Sequence, residues 1–290
     1  LFDSYGDTPM VPASNAKLLT TSAAIDLLGP DYVFETRLAV ADDALYLIGE
    51  GDPMFHVDDL HAMTAQLVDA AVLEGIERIV VDDTAFSPQR FGPGYATEGP
   101  GEAYMAPSGA LSLNFNHVEV TIHAGRREVE VTVEPANEHV EVRNTATVSS
   151  RSGLEVRTVA DGDKTVLAVD GRLRRWRTTR LRRRVTDPGL FAGSQLATFV
   201  AELAERAPLP VSRGKVPAGA EIVVLHRSAS LLEILEDGLA YSNNLVAEQI
   251  MRTLAWRMTG VPGDWTHGQE VLRDYWSALS DGSTGLVVEN

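Results

Sequence analysis

The stretch Val11-Pro12-Ala13-Ser14-Asn15-Ala16-Lys17 opens a long apolar run, Leu18 to Leu28, and decides how the rest of the chain is read. Its lysine is one of only three in 290 residues, with Lys164 and Lys215. At the i, i+3 spacing of a helix, Ser14 and Lys17 face the same way. A serine hydroxyl is a poor nucleophile until a base takes its proton. A lysine can be that base once burial disfavours its charged form. The serine also stands where a helix start presents the positive end of its dipole. The run from Ser14 is apolar on most sides, which predicts a buried helix. Gly29-Pro30 ends it.

Far downstream stands Tyr241-Ser242-Asn243-Asn244, a Ser-x-Asn. The Ser242 hydroxyl can relay a proton to a leaving amine, and the Asn244 amide can hold a substrate peptide group. The backbone N–H of Ser14 can supply half of an oxyanion hole. Either motif alone is weak, because a Ser-x-x-Lys turns up by chance about once in a chain of this size. The bland alternative is a helix capped at Ser14 with a surface lysine.

Between the motifs, strand alternation covers Phe34 to Val40 and Ala44 to Gly49, with a turn at Asp42-Asp43. An amphipathic helix follows over Val57 to Leu73, with Leu60, Met63, Leu67 and Ala70-Ala71 on one face, then a strand over Ile76 to Val81. That is a strand-helix-strand unit. Short strands are predicted at Val118–His123, Glu128–Val133, Val140–Val148, Leu154–Val159 and Thr165–Val169. A run dense in arginine, Arg172 to Arg184, reads as a solvated, salt-bridged pair of strands, the alternative being a site for an anionic wall polymer or another polyanion. Helices are predicted at Leu190–Leu203, Leu231–Leu239, Leu245–Trp256 and Gln269–Leu279, with a strand at Ile222–Leu225. Leu1 to Tyr5 reads as the tail of a strand, and Gly6-Asp7-Thr8-Pro9 as a turn. The expected class is therefore α/β (α+β), with helical parts at both ends around a β-rich middle.

Composition sets the outer limits. A hydrophobic fraction of 44% and a charged fraction of 23% are those of an ordinary globular protein. A net charge of −16 disfavours generic binding to nucleic acid or anionic lipid, and leaves room for a local basic patch. With no cysteine, disulfide scaffolds and cysteine-based metal sites are excluded. No run is long and apolar enough for a transmembrane segment. His56, His61, His117, His123, His139, His226 and His267 are scattered, none at the spacing of a zinc protease, so no metal is expected. Glu248 reads as a structural salt bridge.

The ordered series of motifs resembles the D-alanyl-D-alanine carboxypeptidases of peptidase family S13, the class C low-molecular-mass penicillin-binding proteins. It runs through Asp7-Thr8-Pro9-Met10-Val11-Pro12-Ala13-Ser14-Asn15-Ala16-Lys17, Leu28-Gly29-Pro30-Asp31-Tyr32 and Leu45-Tyr46-Leu47-Ile48-Gly49-Glu50-Gly51-Asp52-Pro53. It continues with Val81-Asp82-Asp83-Thr84-Ala85-Phe86, Tyr104-Met105-Ala106-Pro107-Ser108-Gly109-Ala110-Leu111-Ser112-Leu113-Asn114-Phe115-Asn116 and Asp187-Pro188, and closes with Ser242-Asn243-Asn244-Leu245-Val246-Ala247-Glu248.

The resemblance implies a β-lactamase/transpeptidase-like domain, residues 1–36 and 221–290, split by a β-rich two-domain insert, 37–220. It implies hydrolysis of the terminal D-Ala-D-Ala bond of peptidoglycan stem peptides, and often of D-Ala to meso-diaminopimelate cross-links, at a periplasmic or other extracytoplasmic location. The acyl-enzyme would form on Ser14, with Lys17 and Ser242 catalytic and Asn244 binding substrate. β-Lactams would be covalent inhibitors, and neither metal nor organic cofactor is implied; homo-oligomer formation is left open. A Lys-Thr-Gly strand should follow the Ser-x-Asn, and the 290 residues contain none. Arg257-Met258-Thr259-Gly260 lacks the lysine, and Lys164-Thr165-Val166 lies on the wrong side of Ser242. The chain thus reads as truncated at both ends, with no signal peptide in it. The competing expectation is a non-catalytic peptidoglycan-binding scaffold or inactive fragment. A β-lactam hydrolase ranks last, for want of a deacylating glutamate motif.

Overall fold

The structure, a computed structural model, describes residues 10–279 apart from 70, 71, 94 and 96–98. The expected strand tail at 1–5, the turn at 6–9 and Ala70-Ala71 lie outside the described residues.

A five-stranded mixed sheet lies at the centre of the chain's organisation. It is built from β1 (Glu35–Ala41), β2 (Ala44–Gly49), β3 (Arg78–Asp82), β11 (Val211–Arg213) and β12 (Glu221–Arg227), in the order β11-β3-β2-β1-β12. The Asp42-Asp43 turn closes the β1–β2 hairpin, with Asp42 in the left-handed region at φ 52°. Helix α2 (Val57–Asp69) carries the chain from β2 to a parallel β3, the expected strand-helix-strand unit. Its apolar stripe, Leu60, Met63 and Leu67, is buried with Leu45, Leu47, Ile79 and Val81 of the sheet and with Phe191, Leu196 and Val200 of α3 (Pro188–Leu203). A smaller cluster, Ala39, Tyr46, Ile48 and Val80, also packs from the sheet. Strand β1 crosses the expected boundary between residues 36 and 37, and it pairs with β12, which lies just beyond the expected insert in the second part of the expected transpeptidase-like domain.

Two further sheets come from the middle of the chain. Antiparallel β4 (His117–Ala124), β5 (Val129–Glu134) and β10 (Thr178–Arg184) form one, in the order β10-β4-β5. In the other, β9 (Lys164–Arg174) pairs with β6 (Val140–Asn144), β7 (Thr147–Ser149) and β8 (Gly153–Asp161). The sequence reading ran one strand through 140–148. The structure breaks it at Thr145, whose N–H bonds the Val169 carbonyl, and both pieces run parallel to β9. Gly171 allows the close pairing of β8 with β9: a side chain there would sit 2.2 Å from the Gly153 carbonyl oxygen.

The helical layer gathers both ends of the chain. Helices α1 (Ala16–Leu28), α4 (Leu231–Ala240), α5 (Asn244–Thr259) and α6 (Trp265–Leu279) share one apolar cluster. Ala23 and Ala24 of α1 meet Leu231, Ile234 and Leu235 of α4, Val246, Ile250 and Leu254 of α5, and Trp265 and Leu272 of α6. Close packing of α4 on α5 depends on Gly238, since a Cβ there would stand 2.8 Å from Val246. The expected all-round burial of α1 is corrected. Only Thr20, Ala23 and Ala24 are buried, and Leu18 is 57% exposed.

Helix α5 is locked to the rest by buried polar groups. The Gln249 amide donates to the Gly109 carbonyl and Ser112 Oγ, both at 2.8 Å, and accepts from Ser108 Oγ at 2.6 Å. Arg252, fully buried, donates to carbonyls of Gly263 (3.1 Å), Ser108 (3.1 Å) and Ser87 (2.7 Å). Its guanidinium is flanked by the rings of Phe86 and Trp265, 4.6 and 4.3 Å from their centroids. At the helix C-terminus Arg257 reaches Glu50 at 2.8 Å, and Glu50 also holds Arg37 of β1 at 2.6 Å. The loop of residues 104–116 is thereby fastened to the helix that carries Asn244.

Candidate active site

Ser14 lies in a single 3-10 turn, Ala13–Asn15, rather than in the α-helix itself. Ala13, before it, is held at φ 47°, where a Cβ is strained. The α-helix starts at Ala16 and carries Lys17 in its first turn. The Ser14 side chain caps nothing, which removes the capped-helix reading.

On the opposite side, α4 ends at Ala240 and α5 begins at Asn244. The connection is tight: Ser242 takes φ 51°, and the Asn243 N–H bonds the Gly238 carbonyl. Asn243 caps α5, its Oδ1 accepting from the N–H groups of Leu245 (3.0 Å) and Val246 (3.4 Å). This frees its neighbours to face α1.

Lys17 joins the two sides. Its Nζ donates to Ser14 Oγ at 3.2 Å, Ser242 Oγ at 3.3 Å and Asn244 Oδ1 at 2.7 Å. An ammonium has three donors, and here each meets one of these oxygens. All four residues singled out in the sequence thus meet at one nitrogen, across a separation of 225 positions between Lys17 and Ser242. The Asn244 amide also donates to the Tyr104 carbonyl at 3.4 Å. Ser14 is exposed and Lys17 half-buried, so the hydroxyl is open to an incoming molecule.

Partial burial holds Lys17 below the ordinary lysine range, and the charge of Glu248 pulls it back up. Glu248 sits one turn beyond Asn244 on α5 and is buried. The expected salt bridge is corrected: among the described residues it has no ion-pair partner within 4.0 Å. Burial instead pushes its carboxyl up to about 7, opposed by the Tyr95 hydroxyl and the charges of Arg252 and Lys17. The Tyr95 phenol, raised by burial and by Glu248, interacts with both Glu248 and Asn244. Sequence reasoning missed Tyr95, which follows Phe91-Gly92-Pro93-Gly94 with no spacing to betray it. Among the described residues no cluster of His, Asp and Glu could hold a metal ion.

A mixed α/β framework that presents a Ser-x-x-Lys against a Ser-x-Asn defines the penicillin-interacting serine class. Comparison with known proteins narrows this. The profile of the D-Ala-D-Ala carboxypeptidase 3 (S13) family matches residues 1–289, and the chain belongs to that family. It is 29% identical to the D-alanyl-D-alanine carboxypeptidase of Actinomadura sp. (strain R39), over all of this chain and 58% of that protein. It superposes on penicillin binding protein 4 from Haemophilus influenzae with a TM-score of 0.80 at 20% identity, over 97% of this chain and 65% of that one. The same protein complexed with a β-lactam gives 0.72 at 18% identity, with 97% and 64% covered. The chain therefore spans less than two thirds of the length of these relatives.

Proposed function

We propose that the protein is a serine-type D-Ala-D-Ala carboxypeptidase and endopeptidase that acts on peptidoglycan stem peptides and binds penicillin covalently. The observation that carries this reading is the convergence of Ser14, Ser242 and Asn244 on Lys17 Nζ, in a chain of the S13 family. Ser14 Oγ attacks the carbonyl carbon of the penultimate D-Ala while its proton passes to Lys17 Nζ. As the C–N bond breaks, that proton returns through the Ser242 hydroxyl to the leaving amine. Water then cleaves the ester on Ser14, Lys17 taking a proton from the water and returning it to Ser14 Oγ as the acid product leaves. The Asn244 amide holds the substrate's peptide group, and the Ser14 N–H faces the developing oxyanion. A β-lactam enters by the same attack and leaves its opened ring on Ser14.

With this activity goes a location outside the cytoplasmic membrane, where the assembled wall and its stem peptides lie. The described residues include no helix long and apolar enough to cross a membrane. The transpeptidase-like domain is assigned to 1–36 and 221–290, around an insert of 37–220. The shared apolar cluster of α1, α4, α5 and α6 supports the helical part of that division, while the β1–β12 pairing crosses it.

The test is intact mass after incubation of the protein, at its full gene-encoded length, with benzylpenicillin. One adduct is expected, on the peptide carrying Ser14, and none in Ser14→Ala. An adduct that persists in Ser14→Ala would sink the assignment.

A further inference from the structure

The arginine-rich run does not behave as its sequence predicts. The salt-bridged pair of strands is corrected: Arg184 is buried, Arg183 half-buried, and the rest stay exposed without an ion pair within 4.0 Å among the described residues. In an acidic protein this needs a reason, because carboxylates outnumber cationic side chains 41 to 25.

Arg180 and Arg182 lie along β10, whereas Arg174, Arg175 and Arg177 stand together at one end of the two smaller sheets. The turn from β9 to β10 is Arg174-Arg175-Trp176-Arg177, closed by the Arg177 N–H on the Arg174 carbonyl at 3.1 Å. It is tied down on both sides. The Trp176 N–H bonds the Ala124 carbonyl at the end of β4, at 2.7 Å, and the Arg175 N–H bonds the Ser149 carbonyl of β7, at 3.3 Å. The next turn after Ala124 brings Arg126 and Arg127, both exposed. Beyond β7 stands exposed Arg151, beside Ser152, whose Oγ accepts from the Arg174 N–H at 3.2 Å. Three adjacent turns thus present six arginines against one carboxylate, Glu128.

Trp176 sits at the apex, 64% exposed and in the left-handed region at φ 62°. Holding a non-glycine residue there costs free energy. Among the described residues its ring has no aromatic or cation–π partner. An indole with an apolar body and a polar N–H belongs at a boundary between water and an apolar phase. Guanidinium groups around it pair with phosphate oxygens in a fork.

We infer that this tip, Trp176 ringed by Arg126, Arg127, Arg151, Arg174, Arg175 and Arg177, docks the protein on an anionic phospholipid surface. Phosphates pair with the arginines while the indole enters the headgroup layer. The acidic remainder of the molecule is repelled by the same surface, which orients the protein tip-down. Charge alone would suit a soluble polyanion equally well; the indole favours the bilayer. The inference does not rest on the proposed peptidase chemistry.

The test is cosedimentation of the full-length protein with phosphatidylglycerol-containing vesicles and with phosphatidylcholine vesicles, together with quenching of tryptophan fluorescence by bromolipid. Binding is expected only to the anionic vesicles, weakening as salt rises. Arg174→Glu with Arg175→Glu, and separately Trp176→Ala, should each lower the partition about tenfold or more, without moving the melting temperature. Bromolipid quenching in the wild type should vanish in Trp176→Phe. Absence of vesicle binding would overturn the proposal. So would binding indifferent to Trp176→Ala and displaced by soluble polyphosphate, which would mark a polyanion site.

Discussion

Lys17 works as a base only when its amine is neutral, so what surrounds its Nζ sets when the site is active. Burial favours the amine, and ionised Glu248 favours the ammonium. Removing the base, Lys17→Ala, should slow acylation by penicillin about 100- to 10,000-fold. Lys17→Arg should be as slow, because a guanidinium stays charged. An unchanged rate in either would remove Lys17 from the role. Glu248 titrates at about 7, so above neutrality it is a carboxylate that opposes deprotonation of Lys17. Glu248→Gln should therefore move the acidic limb of the acylation–pH profile to lower pH, by about one unit or less. A purely structural glutamate would leave that limb in place and change only stability. None of this was legible in the sequence, where Glu248 is one more carboxylate on a helix. Ser14, Lys17, Ser242 and Asn244 were legible because their chemistry is local: each motif keeps its spacing whatever lies between.

At the scale of elements, α5 does the positioning, because it brings Asn244 to Lys17 from across the chain and is itself gripped along its length. Arg252 is the tightest grip. Arg252→Met would leave the carbonyls of Ser87, Ser108 and Gly263 without their donor in a buried place. The expected loss is roughly 3 kcal/mol or more, read by denaturant unfolding. A loss within about 0.5 kcal/mol would show that the network is not holding the helix. Elements themselves were readable wherever periodicity had room. The expected β1–β2 hairpin, α2 and β3 all appear, and the helices from α3 onward match to within a few residues. Three-residue β11 escaped because so short a strand has no period to detect. The break at Thr145 escaped because β6 and β7 share one partner strand, a fact of tertiary pairing. The apolar run of α1 suggested burial, yet composition cannot say which faces find neighbours.

For the molecule as a whole, stability against pH is set by buried groups of opposite habit. Burial pushes Asp52 up to about 7, as it does Glu248. Burial also pushes His117 and His139 down to about 4. A carboxyl raised in the folded state contributes stability that is complete below its unfolded value and lost as pH rises through about 7. A histidine depressed in the folded state does the reverse: its stability is complete above its unfolded value and lost as pH falls through about 4. Between about pH 4 and 7 the two pairs cancel in sign, so the wild type should show a shallow dependence that hides both. Asp52→Asn uncovers one of them. Asp52 is buried, its Oδ2 has no hydrogen-bond partner, and His226 Nε2 stands 3.7 Å away. An amide keeps the acceptor for the Met54 N–H, offers a donor toward His226, and cannot ionise. Near pH 4 the variant should match the wild type. As pH rises it should become the more stable, by up to about 4 kcal/mol at pH 8, measured as the difference in unfolding free energy at each pH. A difference constant with pH would mean that Asp52 ionises in the folded state as freely as in the unfolded one.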